Sequence, residues 1–250
     1  MSTLAGKIAL VTGAGAGIGA AIAEELGRQG AAVAVNYKQN ISRAEKVVAK
    51  LRTAGGAAIA VRGDVENESS VKAMLETIAQ ELGPIDILVL SAAPPAFWSR
   101  IVDQPMDTFE SKLLAELRSF MITGSLVGKA MEQRGAGCII GISSVMGRKT
   151  VEGFGVHSMV KAAVEAMLRT MALELAQAGI RVNTVAPSLT NTPGSSWVTD
   201  EGIEQTIADT PLGRLCAPED IAKAVAMIAS DNADFITGAY IPVNGGSLFG

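Results

Sequence analysis

The 250-residue chain is short of most features that would mark it for nucleic acid, metal, membrane or secretion. Basic residues do not dominate: 21 Lys and Arg against 25 Asp and Glu leave a net charge of −4. That balance gives no electrostatic footprint for a polyanion or an anionic membrane surface. The two cysteines, Cys138 and Cys216, cannot make a disulfide framework, and suit a reducing, cytoplasmic setting as small buried hydrophobes. His157 is the only histidine, and no His/Cys/Asp spacing suggests a metal site. No apolar run reaches the roughly 18 residues of a membrane span, and the opening Met-Ser-Thr-Leu-Ala-Gly-Lys lacks the apolar core of a signal peptide. Aromatics make up only 4% of a chain that is 48% hydrophobic. Abundant Ala, Gly and Val suit parallel strands packed closely by helices.

What is present is alternation. Short apolar runs at Lys7–Thr12, Ala31–Asn36, Ala57–Arg62, Ile85–Ser91, Gly137–Ile142, Arg181–Ala186 and Tyr240–Val243 predict seven strands. Helical stretches are expected between them, at about Ile18–Gln29, Ser42–Thr53, Glu68–Leu82, Thr108–Gln133, Val156–Gln177 and Pro218–Ser230. The strands show little in/out alternation, as a sheet covered on both faces requires. Strand–helix alternation implies right-handed crossovers, hence one doubly wound α/β domain over residues 1–250 with a seven-stranded parallel sheet. The one long connection is Ser188–Leu212, which includes Trp197 and an acidic pair, Asp200-Glu201, suited to a helix start. Its place after a strand's carboxyl end makes it a candidate substrate lid; the alternative is an ordinary surface excursion.

The richest motif lies between the first strand and first helix: Thr12-Gly13-Ala14-Gly15-Ala16-Gly17-Ile18-Gly19. Glycines there allow a tight turn and close backbone approach, and the helix amides and dipole then stabilise a diphosphate. The end of the second strand discriminates between dinucleotides. A carboxylate there bonds the ribose 2′-hydroxyl and repels a 2′-phosphate. This chain has Asn36-Tyr37-Lys38 instead, which favours NADP(H) over NAD(H) unless Lys38 is merely solvated. Asp64-Val65, after the third strand, is the candidate adenine contact.

These segments resemble the short-chain dehydrogenase/reductase family along nearly the whole chain. Thr12–Gly19 is similar to its TGxxxGxG and Asp64-Val65 to its adenine-contacting pair. Arg181–Pro187 is similar to the segment before its nicotinamide-amide site, and Pro211–Arg214, Pro218–Ala222, Ile236–Gly238 and Val243–Gly246 to its C-terminal part. The resemblance implies cofactor contacts at Ala92, Pro187, Thr190 and Thr192 as well, and a homodimer or homotetramer. It also implies a Ser–Tyr–Lys site, and here the chain departs. Counting back four from Lys161, the Tyr position holds His157; thirteen earlier stands Ser144. The middle-helix Asn position holds Glu116, the Asn-Asn-Ala-Gly after the fourth strand is Leu90-Ser91-Ala92-Ala93, and the Gly after Pro187 is Ser188. Phe154, seven before Lys161, fills the position where the related enoyl reductases carry Tyr.

The expectation is therefore an NADP(H)-dependent oxidoreductase acting on a small carbonyl or alcohol. Ser144 would polarise the oxygen, Lys161 would bind ribose, and His157, held charged by a hydrogen bond to Glu116, would be the acid/base. Two alternatives stay open: a dinucleotide-binding relative without chemistry, serving as sensor or assembly partner, and a reductase of an activated C=C bond. Ser144, His157 and Glu116 are also hydrolase-triad types, but no nucleophile elbow accompanies them. Phe97, Trp98, Met146, Phe154 and Trp197 are apolar enough to line a pocket, and equally suited to packing.

Overall fold

The apolar runs become strands because each can be covered on both faces. The computed structural model describes residues 3–196 and 198–249, so Trp197 lies outside the described residues. The strands are β1 (Ile8–Val11), β2 (Ala32–Tyr37), β3 (Ala58–Arg62), β4 (Ile87–Leu90), β5 (Gly137–Ile142), β6 (Ile180–Pro187) and β7 (Tyr240–Val243). They form one sheet in the order β3-β2-β1-β4-β5-β6-β7, and every pairing is parallel. The predicted strands are all found; β1 and β4 are shorter than the apolar runs that announce them, because the flanking residues turn into loops.

Among the described residues there are seven α-helices: α1 (Gly17–Arg28), α2 (Ile41–Thr53), α3 (Glu68–Glu81), α4 (Met106–Arg134), α5 (Gly155–Leu175), α6 (Asp200–Ala208) and α7 (Pro218–Ala229). Six match the predicted stretches, and α6 begins at the acidic pair within 188–212. Spacing of i, i+3, i+4, i+7 puts Gly19, Ile22, Ala23 and Leu26 of α1 into the core. One face of the sheet buries Ile22, Val33, Val89, Ile140 and Val225 with α1, α2 and α7; the other buries Leu88, Phe120, Ile139, Val164 and Leu168 with α3, α4 and α5. Cys138 and Cys216 are free and buried among these side chains.

Chain order reverses between β1 and β4, and a crevice at the carboxyl ends of these strands is where open α/β sheets take ligands. Two helix faces break the apolar rule. The inward stripe of α4 carries Lys112 and Glu116, and that of α5 carries Lys161 and Glu165, all four buried. These charges lie on the two helices beside the carboxyl ends of β4 and β5. Among the described residues, no helix is long and apolar enough to cross a membrane.

Candidate active site

The glycine loop is held open by backbone geometry. Gly13 and Gly17 have φ of 65° and 57°, the left-handed region that favours glycine. A Cβ on Gly13 would stand 2.9 Å from the Ala92 Cα, and one on Gly19 would stand 2.6 Å from the Gly13 carbonyl oxygen. Thr12 ties the loop to the end of β4: its Oγ1 accepts from the amides of Ser91 and Ala92 at 2.9 and 3.1 Å. Asn36 braces it from β2, where Oδ1 accepts from the Gly13 amide at 3.1 Å and Nδ2 donates to the Gly63 carbonyl at 3.1 Å. The Asn36 side chain is thus spent inside the protein rather than offered to a ribose.

α1 starts without a side-chain cap at Ala16, whereas α2 and α3 are capped by Asn40 and Asn67. The head of α1, at Gly17, Ile18 and Gly19, therefore lacks the oxygen that would satisfy its amides. Gly15 has room for a closely approaching group, its nearest neighbours being atoms of Arg43 and Ala44 at 3.6 Å or more from a built Cβ. These features fit the diphosphate of a dinucleotide. Beside the loop a cleft of about 220 Å³, lined by Gly13, Lys38, Val65, Ala92 and Ser119 among others, fits an adenosine moiety.

Lys38 is half exposed but ion-paired. Its Nζ lies 2.9 Å from Glu66 Oε1 and 3.1 Å from Asp64 Oδ2, and these partners, Glu66 first, raise its pKa. Tyr37 packs half-buried against the core. Beyond β6, which ends at Pro187, the buried Thr190 donates its hydroxyl to the Ser188 carbonyl at 2.9 Å. Thr192 lies over the glycine loop: a Cβ on Gly17 would come within 3.6 Å of its side chain.

On the reaction side, Lys161 is 5% exposed and anchored twice. Its Nζ donates to the Ile142 carbonyl at 3.1 Å and pairs with Glu116 Oε1 at 2.7 Å. Glu116 is wholly buried, and its other oxygen pairs with Lys112 at 2.8 Å. Burial pushes the Glu116 carboxyl up, but Lys161 and Lys112 outweigh it and bring its pKa to about 2. Ser144 follows β5 directly, and its Oγ accepts from the Met146 amide at 3.2 Å.

His157 is where the sequence-based expectation needs correction. Its Nδ1 is buried and has no hydrogen-bond partner, and Glu116 is claimed by two lysines instead of by the imidazole. Burial first, then Lys161 and Lys112, drive the His157 pKa down to about 3 against the opposing pull of Glu116. At neutral pH the ring is uncharged. The absent His–Glu link also removes any Ser–His–Glu relay of hydrolase type.

The apolar candidates divide. Phe97 lines a cleft with Lys112, while Trp98 is 59% exposed with its indole against Gly153, where a Cβ would overlap it. Phe154 is buried. Sequence reasoning missed Lys112, Glu165 and the bracing role of Asn36. Glu165 accepts from Ser143 Oγ at 2.8 Å and from Arg148 Nε at 3.1 Å, clasping the segment that carries Ser144. The available signal was i, i+4 spacing, Lys112 to Glu116 and Lys161 to Glu165, which reads equally as exposed helix pairing.

A glycine loop at the sheet's switch point, with a buried lysine and a serine at the end of β5, defines a dinucleotide-binding α/β protein of oxidoreductase type. Residues 13–247 match the family pattern described as Enoyl-(Acyl carrier protein) reductase. The chain is 37% identical over 244 residues to a 3-oxoacyl-[acyl-carrier-protein] reductase of Pseudomonas aeruginosa, covering 98% of each. It is 35% identical to a cis-4-hydroxycyclohexanecarboxylate dehydrogenase of Sinomonas cyclohexanicum, covering 96% of each. The structure of a gluconate 5-dehydrogenase from Burkholderia cenocepacia, in complex with NADP and tartrate, superposes with a TM-score of 0.92 at 28% identity, covering 98% of this chain and 96% of that one. The chain belongs to the short-chain dehydrogenase/reductase family of NAD(P)-dependent oxidoreductases.

Proposed function

We propose that the chain is an NADP(H)-dependent oxidoreductase interconverting a small carbonyl compound and its alcohol, with a Ser144–His157–Lys161 site. The observation that carries this reading is Lys161, buried and ion-paired, yet tethered to the last residue of β5 two positions before Ser144. A buried lysine is costly, and this one sits where the family holds the cofactor's ribose. When bound, the nicotinamide supplies or accepts the hydride. Ser144 donates its hydroxyl to the substrate oxygen as negative charge grows there. His157 contributes an N–H of the neutral ring, as a hydrogen-bond donor to the same oxygen, not an imidazolium.

NADP(H) is favoured over NAD(H) because β2 ends in Asn36-Tyr37-Lys38, with no carboxylate to bond a 2′-hydroxyl. Lys38 would have to share a 2′-phosphate with Asp64 and Glu66, which limits the preference. The stretch 188–212, with Thr192 over the loop, is read as the substrate lid of a single domain, and the protein as a cytoplasmic homo-oligomer.

The low pKa of His157 favours a second reading, in which the ring moves no proton and the chain binds dinucleotide without turnover, or reduces an activated C=C bond needing less acid assistance. NADPH absorbance with a panel of ketones, aldehydes and enones separates them, alongside His157→Phe and His157→Tyr. The expected result is carbonyl turnover that falls about 10²-fold in His157→Phe, with both NADPH and NADH raising the melting temperature, NADPH more. Tight NADPH binding, an inert natural protein and activity gained in His157→Tyr would replace this reading with the binding protein.

A further inference from the structure

Lys38 stands as a partition between two clefts. On one side is the cleft of about 220 Å³ that fits an adenosine, where Glu66 is its neighbour in the lining. On the other is a cleft of about 440 Å³ lined by Lys38, Gln39, Arg62 and Asp64 among others. Two carboxylates meet the single ammonium, Glu66 Oε1 at 2.9 Å and Asp64 Oδ2 at 3.1 Å. The partition therefore carries net negative charge, although β2 itself ends without an acid. The three side chains are 36% to 48% exposed, and ion pairs as wet as these open at little cost. The two acids are not equivalent. Asp64 is built into the entry to α3: its amide donates to Ser70 Oγ at 2.9 Å, and its Oδ1 accepts from the Glu66 amide at 3.1 Å. Glu66 has Lys38 as its only ion-pair partner among the described residues, and of the two it is the acid that lines the adenosine cleft. Its backbone is held from α4, where Arg118 Nε donates to the Glu66 carbonyl at 3.3 Å.

We propose that Glu66 is a cofactor-specificity residue, which by holding Lys38 disfavours the 2′-phosphate of NADP(H) and leaves NAD(H) unaffected. The proposal rests on the dinucleotide reading above and deepens it. A phosphate at the end of β2 needs a cation, and the cation there is already engaged; a 2′-hydroxyl makes no such demand. To bind NADP(H), the phosphate must draw Lys38 away from Glu66, and the released carboxylate then stands in the same cleft as the phosphate and repels it. The acid that discriminates between the nucleotides thus comes from the connection between β3 and α3, and not from the end of β2. It acts through its neighbour's ammonium, so the discrimination is partial: Lys38 still favours the phosphate, Glu66 opposes it, and the protein accepts both nucleotides.

Titration calorimetry with NADPH and with NADH, in the absence of substrate, tests the assignment. The natural protein should prefer NADPH by less than about tenfold. Glu66→Gln keeps the size of the side chain and removes its charge; it should tighten NADPH about fivefold and leave the Kd for NADH within about twofold. An unchanged NADPH-to-NADH ratio overturns the proposal. So does a weakened NADH, which would show the carboxylate bonding the ribose directly. A cycle with Lys38→Gln checks the intermediary. Removing Lys38 should cost several-fold more NADPH affinity in the Glu66→Gln background than in the natural protein, because only there is the ammonium free to serve the phosphate. An equal or smaller cost overturns the role of Lys38 and leaves Glu66 acting by direct repulsion. Binding needs no turnover, so a protein that holds both nucleotides but reduces no carbonyl sinks the oxidoreductase reading while the affinity ratio still decides the role of Glu66. A protein that binds neither nucleotide overturns both.

Discussion

A histidine wedged beside two ammonium groups is a poor place for a third positive charge. Counting residues puts His157 at an acid position, but not in an acid's environment; the burial of Lys112 and the capture of Glu116 emerge only once α4 and α5 are packed. The pH dependence of stability follows. The unfolded imidazole takes a proton below about pH 6.5 and the folded one only near pH 3. Between these values the unfolded state binds more protons, so this contribution to stability is complete above pH 6.5 and is lost as pH falls toward 3. Glu116 acts in the same direction lower down, from about pH 4.5 to 2. Urea unfolding at pH 7 and pH 5 should show the natural protein losing on the order of 1–2 kcal/mol more than His157→Gln. Equal losses would mean that the ring is not held neutral by its surroundings. Gly13, Gly17 and Gly19 were legible because a turn that only glycine can make has a sequence signature. Lys112 was not, because a Lys–Glu pair one turn apart looks the same on a wet face as on a dry one.

At the scale of elements, strands and helices were legible from periodicity, while their ends were set by contacts. β4 stops at Leu90 because the next two amides turn to Thr12 Oγ1. The segment from Ser143 to Arg148 illustrates what periodicity leaves out. Glu165, on the buried face of α5, holds both of its ends, and a Cβ on Gly147 would press on the carboxylate and displace the clasp. Replacing Glu165 by Leu strands the buried Ser143 hydroxyl, while Arg148 keeps solvent and the Tyr240 ring, and should cost about 1–3 kcal/mol by urea unfolding. Glu165→Gln keeps one acceptor oxygen, for Arg148, and its amide can donate to the Ser143 hydroxyl, so it should lose less than half as much. Because the clasp sets Ser144, the Leu variant should also lose kcat more than it gains KM. A Leu variant as stable as the natural protein would show that the clasp is incidental.

For the whole molecule, alternation alone dictated a doubly wound sheet, and the observed strand order is the one that places the glycine loop at the switch point. Assembly is less legible, because an apolar side chain on a surface helix carries no label for its partner. Met121 on α4, with Met159 and Leu173 on α5, are exposed, and the long helices are where the family joins its subunits. Light scattering should return two or four chains per particle at micromolar concentration, and a monomer would refute the homo-oligomer.

Thr192 resting on the glycine loop has a kinetic meaning. If the stretch that follows β6 is the lid proposed above, a nucleotide along the head of α1 would lie partly beneath Thr192. The outcome expected of such a lid is ordered binding, nucleotide ahead of substrate, which product-inhibition kinetics would check. Release of the spent nucleotide would then limit the cycle, and a pre-steady-state burst would report it.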